Sequence, residues 1–192
     1  KKNNITVFAN FFIDSNERFL RLKDSFNSFV NEDIDFWVIN TRGSYKLKVN
    51  SFLKKNIAEN KIKIFDLDSA SWFNDSKNMI KTINTKLIFF WIEDHICLNG
   101  PAHFKKIIKE ILLKDIDYLQ YSFFLFGLQL KSLKNVRLKS TKNLFYFNYT
   151  KSILKKRLKW FEKNDHPNLL DYIISQASIM KFDLFKKIIS SN

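Results

Sequence analysis

The sequence predicts an α/β fold built on a doubly wound, mostly parallel β-sheet. Short apolar runs begin near residues 5, 36, 62, 87 and 118, a spacing of about 30 residues that is typical of β-α-β units. Segments with helical apolar spacing lie between most of these runs. The run at residues 87–92 is continuously apolar, as expected of a strand covered on both faces.

Strand and helix signals alternate through the first 125 residues. A β-rich run at residues 5–9 ends at Asn10, and Asp14 or Ser15 is expected to cap the helix that follows, at residues 15–30. Further strands are expected at residues 36–39, 62–65, 87–92 and 118–124, and further helices at residues 47–57, 78–85 and 104–113. Residues 40–43 indicate a turn after the second strand.

The pattern changes after about residue 130. A polar, loop-like stretch at residues 131–142 is followed by an expected antiparallel strand at 144–147, a basic helix at 152–163, a strand at 173–180 and a helix at 182–189. We interpret this part as an elaboration of the same sheet. The predicted division is an α/β core over residues 1–125 and an elaboration of the same domain over residues 126–192.

The composition excludes several classes of protein. Hydrophobic residues make up 45% of the 192-residue chain and include 21 Phe, which excludes an intrinsically disordered chain. The single cysteine, Cys97, excludes a disulfide framework and a Cys-rich zinc site. Glycine occurs only at positions 43, 100 and 127, so neither a Walker A loop nor a G-x-G-x-x-G fingerprint is present. A G-x-S-x-G nucleophile elbow is also missing.

The formal net charge of +14 suggests an anionic partner. Arginine supplies only five of the 33 basic residues, which weakens the case for specific nucleic-acid recognition, although a basic nucleic-acid-binding protein or nuclease stays an alternative. Basic residues cluster within nine positions at Lys151, Lys155, Lys156, Arg157 and Lys159. This cluster is either a solvated helix face or a surface for an anionic ligand or an anionic membrane.

Polar side chains that follow the strands mark the candidate site, because ligands of open α/β sheets bind outside the carboxyl ends of the strands. These are Asn10, residues 40–42, Asp66, Asp68, and the triplet Glu93, Asp94 and His95. The triplet follows the most apolar strand, where a charge is costly unless it is paired or binds a cation. Carboxylate and imidazole ligands suit Mn²⁺, and carboxylates alone suit Mg²⁺. The alternative is a strand end with ordinary salt bridges.

Residues 77–95 resemble the family 2-type glycosyltransferases of the GT-A fold. The pair at 77–78, a helix, and an apolar strand that ends in Glu93, Asp94 and His95 are similar to the Arg-Asn pair, helix, strand and D-x-D-like triplet of that family. Residues 40–44 stand where the family has an Asp-Asp-Gly-Ser turn, and residues 15–22 resemble its first helix, which often has an arginine near its start. Residues 178–188 resemble its acceptor-side strand and helix.

This resemblance implies metal-assisted, inverting chemistry in which a sugar passes from a nucleotide-diphosphate donor to a glycan or lipid-linked acceptor. The implied metal ligands are Glu93, Asp94 and His95, holding Mn²⁺ or Mg²⁺. The implied contacts to the nucleotide sugar are Asn10, Arg42, Asp66, Lys77 and Asp94. Residues 1–125 would then be the nucleotide-sugar-binding core, and residues 126–192 the acceptor side.

The sequence also departs from the family pattern. Glu93 and His95 replace the outer aspartates of the triplet, and Asn40 replaces an aspartate that would hold the nucleobase. The family's catalytic base follows the late helix, where this chain ends, so we expect a C-terminally truncated chain, a base from elsewhere such as Asp165 or Asp171, or a non-catalytic nucleotide-binding relative. The expected location is the cytoplasm, with the basic helix on the inner face of the membrane.

Overall fold

The computed structural model describes residues 4–69, 71–121, 131–134, 136–164 and 177–191. The strands are β1 (Ile5–Phe12), β2 (Phe36–Arg42), β3 (Ile62–Phe65), β4 (Leu87–Phe90), β5 (Tyr118–Gln120), β6 (Lys139–Ser140), β7 (Phe145–Tyr146) and β8 (Ser178–Lys181). The helices are α1 (Asn16–Phe29), α2 (Lys46–Asn56), α3 (Trp72–Met79), α4 (Gly100–Lys114), α5 (Lys151–Lys163) and α6 (Phe182–Ser190). Short 3₁₀ turns lie at Glu59–Lys61 and Ile80–Thr82.

Six of these strands form one sheet in the order β3-β2-β1-β4-β8-β5. The first four strands of this order are mutually parallel, and β8 runs antiparallel to both of its neighbours, β4 and β5. The predicted α/β class with a mostly parallel sheet is therefore confirmed, and the arrangement is compatible with a Rossmann-like fold. All five strands expected in the first 125 residues are present.

Two apolar clusters cover the sheet, one on each face. The larger cluster packs α1, α2 and α4 against one face, and its aromatic rings include Phe29, whose centroid lies 5.3 Å from that of Trp91. The second cluster packs α3 and α6 against the other face, where the rings of Phe8 and Phe185 are 4.9 Å apart. Such ring pairs stabilise the fold by about 0.5–1.5 kcal/mol each beyond their burial. Because both faces of the sheet are covered, β4 is apolar along its whole length and all of its residues are buried.

Several element boundaries differ from the prediction. Both β1 and β2 extend to the carboxyl side because parallel pairing continues through Phe11 with Thr41 and Phe12 with Arg42. The expected turn at residues 40–43 therefore begins only at Gly43. Helix α3 starts earlier than the predicted residue 78, since Ser71 accepts a hydrogen bond from the Asn74 amide and caps the helix.

The part after residue 130 is not a single extension of the main sheet. Strand β8 joins that sheet as expected, but β6 and β7 pair only with each other in a separate two-stranded sheet. Glu110 of α4 connects this hairpin to the core, because it accepts hydrogen bonds from the Thr141 hydroxyl and from the Asn143 backbone and side-chain amides. The expected strand residues 122–124 and 173–176 lie outside the described residues. No helix in the described part of the chain is long and apolar enough to cross a bilayer.

Gly43 makes the turn after β2 possible. Its φ of +92° is a backbone conformation that other residues rarely adopt, and a Cβ there would lie 2.4 Å from the carbonyl oxygen of Ile13. That carbonyl accepts a hydrogen bond from the Tyr45 amide, and the Ile13 amide donates to the Arg42 carbonyl at 2.9 Å. The loops after β1 and β2 are therefore joined, which fixes the backbone beside the candidate site.

We expect Gly43→Ala to destabilise the protein by about 2–4 kcal/mol, because it combines backbone strain with a steric clash. Gly100→Ala is the matched control: Gly100 has a φ of +72°, but a Cβ on it would have no other atom within 4 Å, so only the strain of about 1–2 kcal/mol is expected. Urea unfolding measures both values. Equal losses for the two variants would contradict the steric argument.

A second prediction concerns Glu110 and acid. The hydrogen bonds from Thr141 and Asn143 lower the pKa of the Glu110 carboxyl from its ordinary value of 4.5. A lowered pKa in the folded state stabilises the protein above the unfolded-state pKa, and this stabilisation is lost as the pH falls through the folded-state value. Wild type should therefore melt at a higher temperature than Glu110→Gln at pH 7, and the difference should shrink progressively as the pH falls below the ordinary pKa of 4.5 and through the lowered folded-state pKa.

Thermal denaturation followed by circular dichroism across this pH range measures the difference. Glu59→Gln is the control, since Glu59 is exposed in a 3₁₀ turn away from the hairpin. A melting difference for Glu110→Gln that persists unchanged in acid would show that the carboxylate charge does not strengthen the hairpin contact.

Candidate functional site

Three of the predicted site residues lie at the carboxyl edge of the parallel strands. Asn10 on β1 is paired in register with Asn40 on β2, and two residues further Phe12 is paired with Arg42. Strand β4 runs parallel to β1, so Glu93, three residues beyond its end, leaves the sheet at the same edge. Asp66 directly follows β3. Because parallel strands end at the same edge of a sheet, Asn10, Arg42 and Glu93 lie on one side of the molecule.

A cavity of about 360 Å³ opens at this edge. Asn10 and Glu93 supply its polar wall, and Ile92 contributes an aliphatic side chain. Its aromatic wall consists of Phe11, Trp72, Phe73, Phe90 and Trp91. These rings come from both apolar clusters, so the cavity lies where the two cores meet at the end of β1 and β4. Such a mixture of aromatic surface with few polar groups is typical of small-molecule sites.

The side chains of Asn40, which is buried, and Asn10, which is half-buried in the cavity wall, form a network of amide hydrogen bonds. The Asn40 amide group donates to Asn10 Oδ1 at 3.0 Å and to the Leu67 carbonyl at 2.9 Å, and Asn40 Oδ1 accepts from the Leu67 amide at 3.0 Å. The side-chain amide of Asn10 in turn donates to Ser76 Oγ. The backbone carbonyl of Asn10 accepts a hydrogen bond from Trp72 Nε1 at 3.2 Å. Asn40 is fully buried, so it positions the loop after β3 and does not face a ligand.

Glu93 is held by an arginine from α1. Its Oε1 accepts two hydrogen bonds from the guanidinium of Arg18, one of them from Nε at 3.1 Å. Hydrogen bonding to Glu93 raises the pKa of Arg18. The negative charges of Glu93, Asp14 and Asp94 raise it as well, whereas desolvation by burial lowers it. The Glu93 side chain is only 11% exposed, whereas Arg18 is 38% exposed. The guanidinium therefore reaches solvent at the rim of the site.

Asp94 and His95 form a second pair beside it. His95 Nδ1 lies 2.7 Å from Asp94 Oδ1, and both side chains are partly exposed. The loop that carries them is fixed to α1, because Ser25 Oγ donates to the His95 carbonyl and accepts from Trp91 Nε1 at 2.8 Å. When the carboxylate accepts a hydrogen bond from Nδ1 of a neutral imidazole, Nε2 is left to accept a hydrogen bond or a proton from a ligand.

Three other predicted contacts, Asp66, Arg42 and Lys77, lie outside the cavity wall. Asp66 is exposed and forms an ion pair with Lys46 of α2. Arg42 ends β2, and its Nε is buried without a hydrogen-bond partner among the described residues. Lys77 lies on α3, two residues before its last residue. None of these three side chains lines the cavity. The two catalytic candidates, Asp165 and Asp171, lie outside the described residues.

The three residues of the predicted cation site face different partners. The part of the chain that the structure describes contains no group of three His, Cys, Asp or Glu side chains placed to hold a metal ion. Glu93 faces the Arg18 guanidinium, whose positive charge opposes a cation, while Asp94 and His95 bind each other. The arrangement does not fit an ion held by all three residues. Metal binding by Glu93, Asp94 and His95 stays a prediction.

Sequence reasoning missed Arg18 as a partner of Glu93 and missed the aromatic wall from Trp72 and Phe73. The arginine had one signal, its place near the start of the first helix in a chain with few arginines. No sequence signal indicated Trp72 and Phe73, because the helix expected at residues 78–85 began after both of them. Comparison with models of protein families and with curated proteins finds no match for this chain.

We expect Asn40→Ala to destabilise the protein by about 2–4 kcal/mol, because the backbone amide and carbonyl of Leu67 would each lose a partner. Urea unfolding measures the loss. Asn60→Ala is the control, since Asn60 is exposed in a 3₁₀ turn and its change should fall within about 0.5 kcal/mol. A small effect at Asn40 would mean that the network does not hold the loop.

Proposed function

We propose that this protein is a glycosyltransferase that moves a sugar from a nucleotide-diphosphate donor to a glycan or lipid-linked acceptor. The observation that carries the proposal is the cavity at the carboxyl ends of β1 and β4, with Asn10 and Glu93 in its wall. Open parallel α/β sheets bind nucleotides at this edge. The resemblance of residues 77–95 to the GT-A glycosyltransferases leads to the same substrate class.

The surroundings of the cavity suit a nucleotide sugar. Aromatic rings such as Trp72 and Phe73 offer faces on which a base can stack. The guanidinium of Arg18, which is partly exposed beside Glu93, supplies a positive charge for phosphate oxygens. Asn10 and Asp94 are proposed to contact the nucleotide or its sugar, and Lys77 to act as a point charge on phosphate.

The proposed reaction is a displacement at the anomeric carbon of the donor sugar. The acceptor hydroxyl oxygen forms a bond to this carbon, the bond to the phosphate oxygen breaks, and the nucleoside diphosphate leaves with the bonding electrons. The hydroxyl proton passes to a base. His95, oriented by Asp94, is one candidate for that base among the described residues. A divalent cation, where one is bound, would neutralise the leaving diphosphate.

A non-catalytic nucleotide-binding relative is the second candidate. The contact between Arg18 and Glu93 favours this candidate. Glu93 is the first carboxylate of the triplet, and because it is paired with Arg18 it is not available to bind a cation. Such a protein would bind a nucleotide or nucleotide sugar at the same edge without releasing a nucleoside diphosphate.

Isothermal titration calorimetry with UDP-, GDP-, CMP- and dTDP-sugars, with and without Mn²⁺ or Mg²⁺, tests the proposal. We expect one donor to bind, and Asp94→Ala and His95→Ala to weaken its binding at least about tenfold, the usual effect of losing a hydrogen bond to a charged group. Asp24→Ala is the control, because Asp24 is exposed on α1 and away from the cavity wall.

The outcomes separate the two candidates. Binding followed by release of the nucleoside diphosphate on addition of acceptors supports the transferase. Binding of a donor without hydrolysis or transfer supports the non-catalytic relative. If no donor binds under any metal condition, both proposals fail.

A further inference from the structure

The positive charge of this chain is concentrated in one part of it. Residues 131–164, which we call the basic segment, contain eleven Lys and Arg and one acidic residue, Glu162. The segment therefore has a formal charge of +10, and the other 158 residues share the remaining +4 of the net +14. The described residues of the basic segment are 131–134 and 136–164, and they include the β6–β7 hairpin and helix α5.

The lysines of helix α5 lie on its exposed side. Lys151, Lys155, Lys156 and Lys159 are all exposed, whereas Phe161 is buried against the rest of the protein. Within the described residues none of these four lysines has a carboxylate within ion-pair distance. Their charges are therefore available to an external anionic partner.

Large apolar side chains are exposed among these charges. Phe145 is 70% exposed in the hairpin, Leu138 is 39% exposed beside β6, and Leu154 is 37% exposed in the first turns of α5. Tyr149, which precedes the N-cap of α5, is 49% exposed. A surface that enters the headgroup region of a bilayer combines basic and apolar side chains in this way.

The surface is fixed rather than formed on contact. Arg157, buried in α5, donates to Ser132 Oγ at 3.2 Å and to Tyr149 Oη at 3.3 Å, and its guanidinium lies over the Tyr149 ring. These contacts join the start of the basic segment and the residue before the N-cap to α5. Glu110 joins the hairpin to α4 of the core. The exposed lysines and apolar side chains therefore keep their positions relative to the α/β core.

We propose that the basic segment is a docking surface for membranes that contain anionic lipids. Charge complementarity selects an anionic partner, and the aliphatic side chains of Leu138 and Leu154 favour lipid over nucleic acid, because aliphatic groups cannot stack on bases. The prevalence of lysine suits lipid headgroups as well, since anionic lipids attract a basic side chain by its charge and do not require the bidentate geometry of arginine. This surface is separate from the cavity and does not depend on the proposed transferase activity.

Vesicle flotation with the full chain tests the proposal. Phosphatidylcholine vesicles with about one third phosphatidylglycerol are compared with pure phosphatidylcholine at about 0.15 M salt. The chain should bind the anionic vesicles only. Lys155→Gln/Lys159→Gln should weaken binding about 25-fold, at about fivefold for each lysine near the surface. Phe145→Ser should weaken binding at unchanged charge, and thermal melting confirms that each variant is folded.

Lys54→Gln/Lys55→Gln is the matched control, since it removes the same charge from exposed positions on α2. Its binding should stay within about twofold of wild type, because those lysines lie outside the basic segment. Absence of binding to anionic vesicles, or an equal loss in the control variant, would overturn the proposal. A labelled single-stranded oligonucleotide is titrated in parallel at the same salt. Binding of the oligonucleotide without vesicle binding would assign the surface to nucleic acid instead.

Discussion

The coverage of the central strands on both faces is the constraint on which the rest of the structure depends. Residues such as Phe8 and Val7 of β1 point into opposite apolar clusters, and every residue of β4 is buried. A polar or charged side chain within these strands would lose its hydration on either side of the sheet. A polar side chain inside these strands therefore needs a hydrogen-bond partner, as Thr6 has in Thr85, and the charged groups of the site gather where the parallel strands end.

The polar groups at that edge are held by partners from distant parts of the chain. Asn40 satisfies both backbone groups of Leu67, and Glu93 is neutralised by Arg18 from the first helix. A buried carboxylate beside aromatic rings would be costly without that arginine. The pair therefore stabilises the strand end and at the same time places a partly exposed guanidinium at the rim of the cavity.

The distribution of charge distinguishes two surfaces of the molecule. The cavity edge combines acidic and basic groups, with Glu93, Asp94 and Arg18 close together, whereas the basic segment contains one acidic residue, Glu162. The cavity edge would bind a donor nucleotide and the basic segment would bind an anionic membrane. The two would bind independently, since they contact different side chains. A transferase that acts on a lipid-linked acceptor would use both surfaces at once.

The sequence by itself determined the alternation of strands and helices, the buried character of β4 and the arrival of Asn10, Arg42 and Glu93 at one edge. These features follow from local periodicity and from the chain order of parallel strands. Only the tertiary structure decided that β1 and β2 continue to residues 12 and 42, that Asn40 is structural, and that Glu93 binds Arg18, 75 residues away. Each of these depends on which side chains meet across the sheet, and contacts between distant residues leave no periodic pattern in a single sequence.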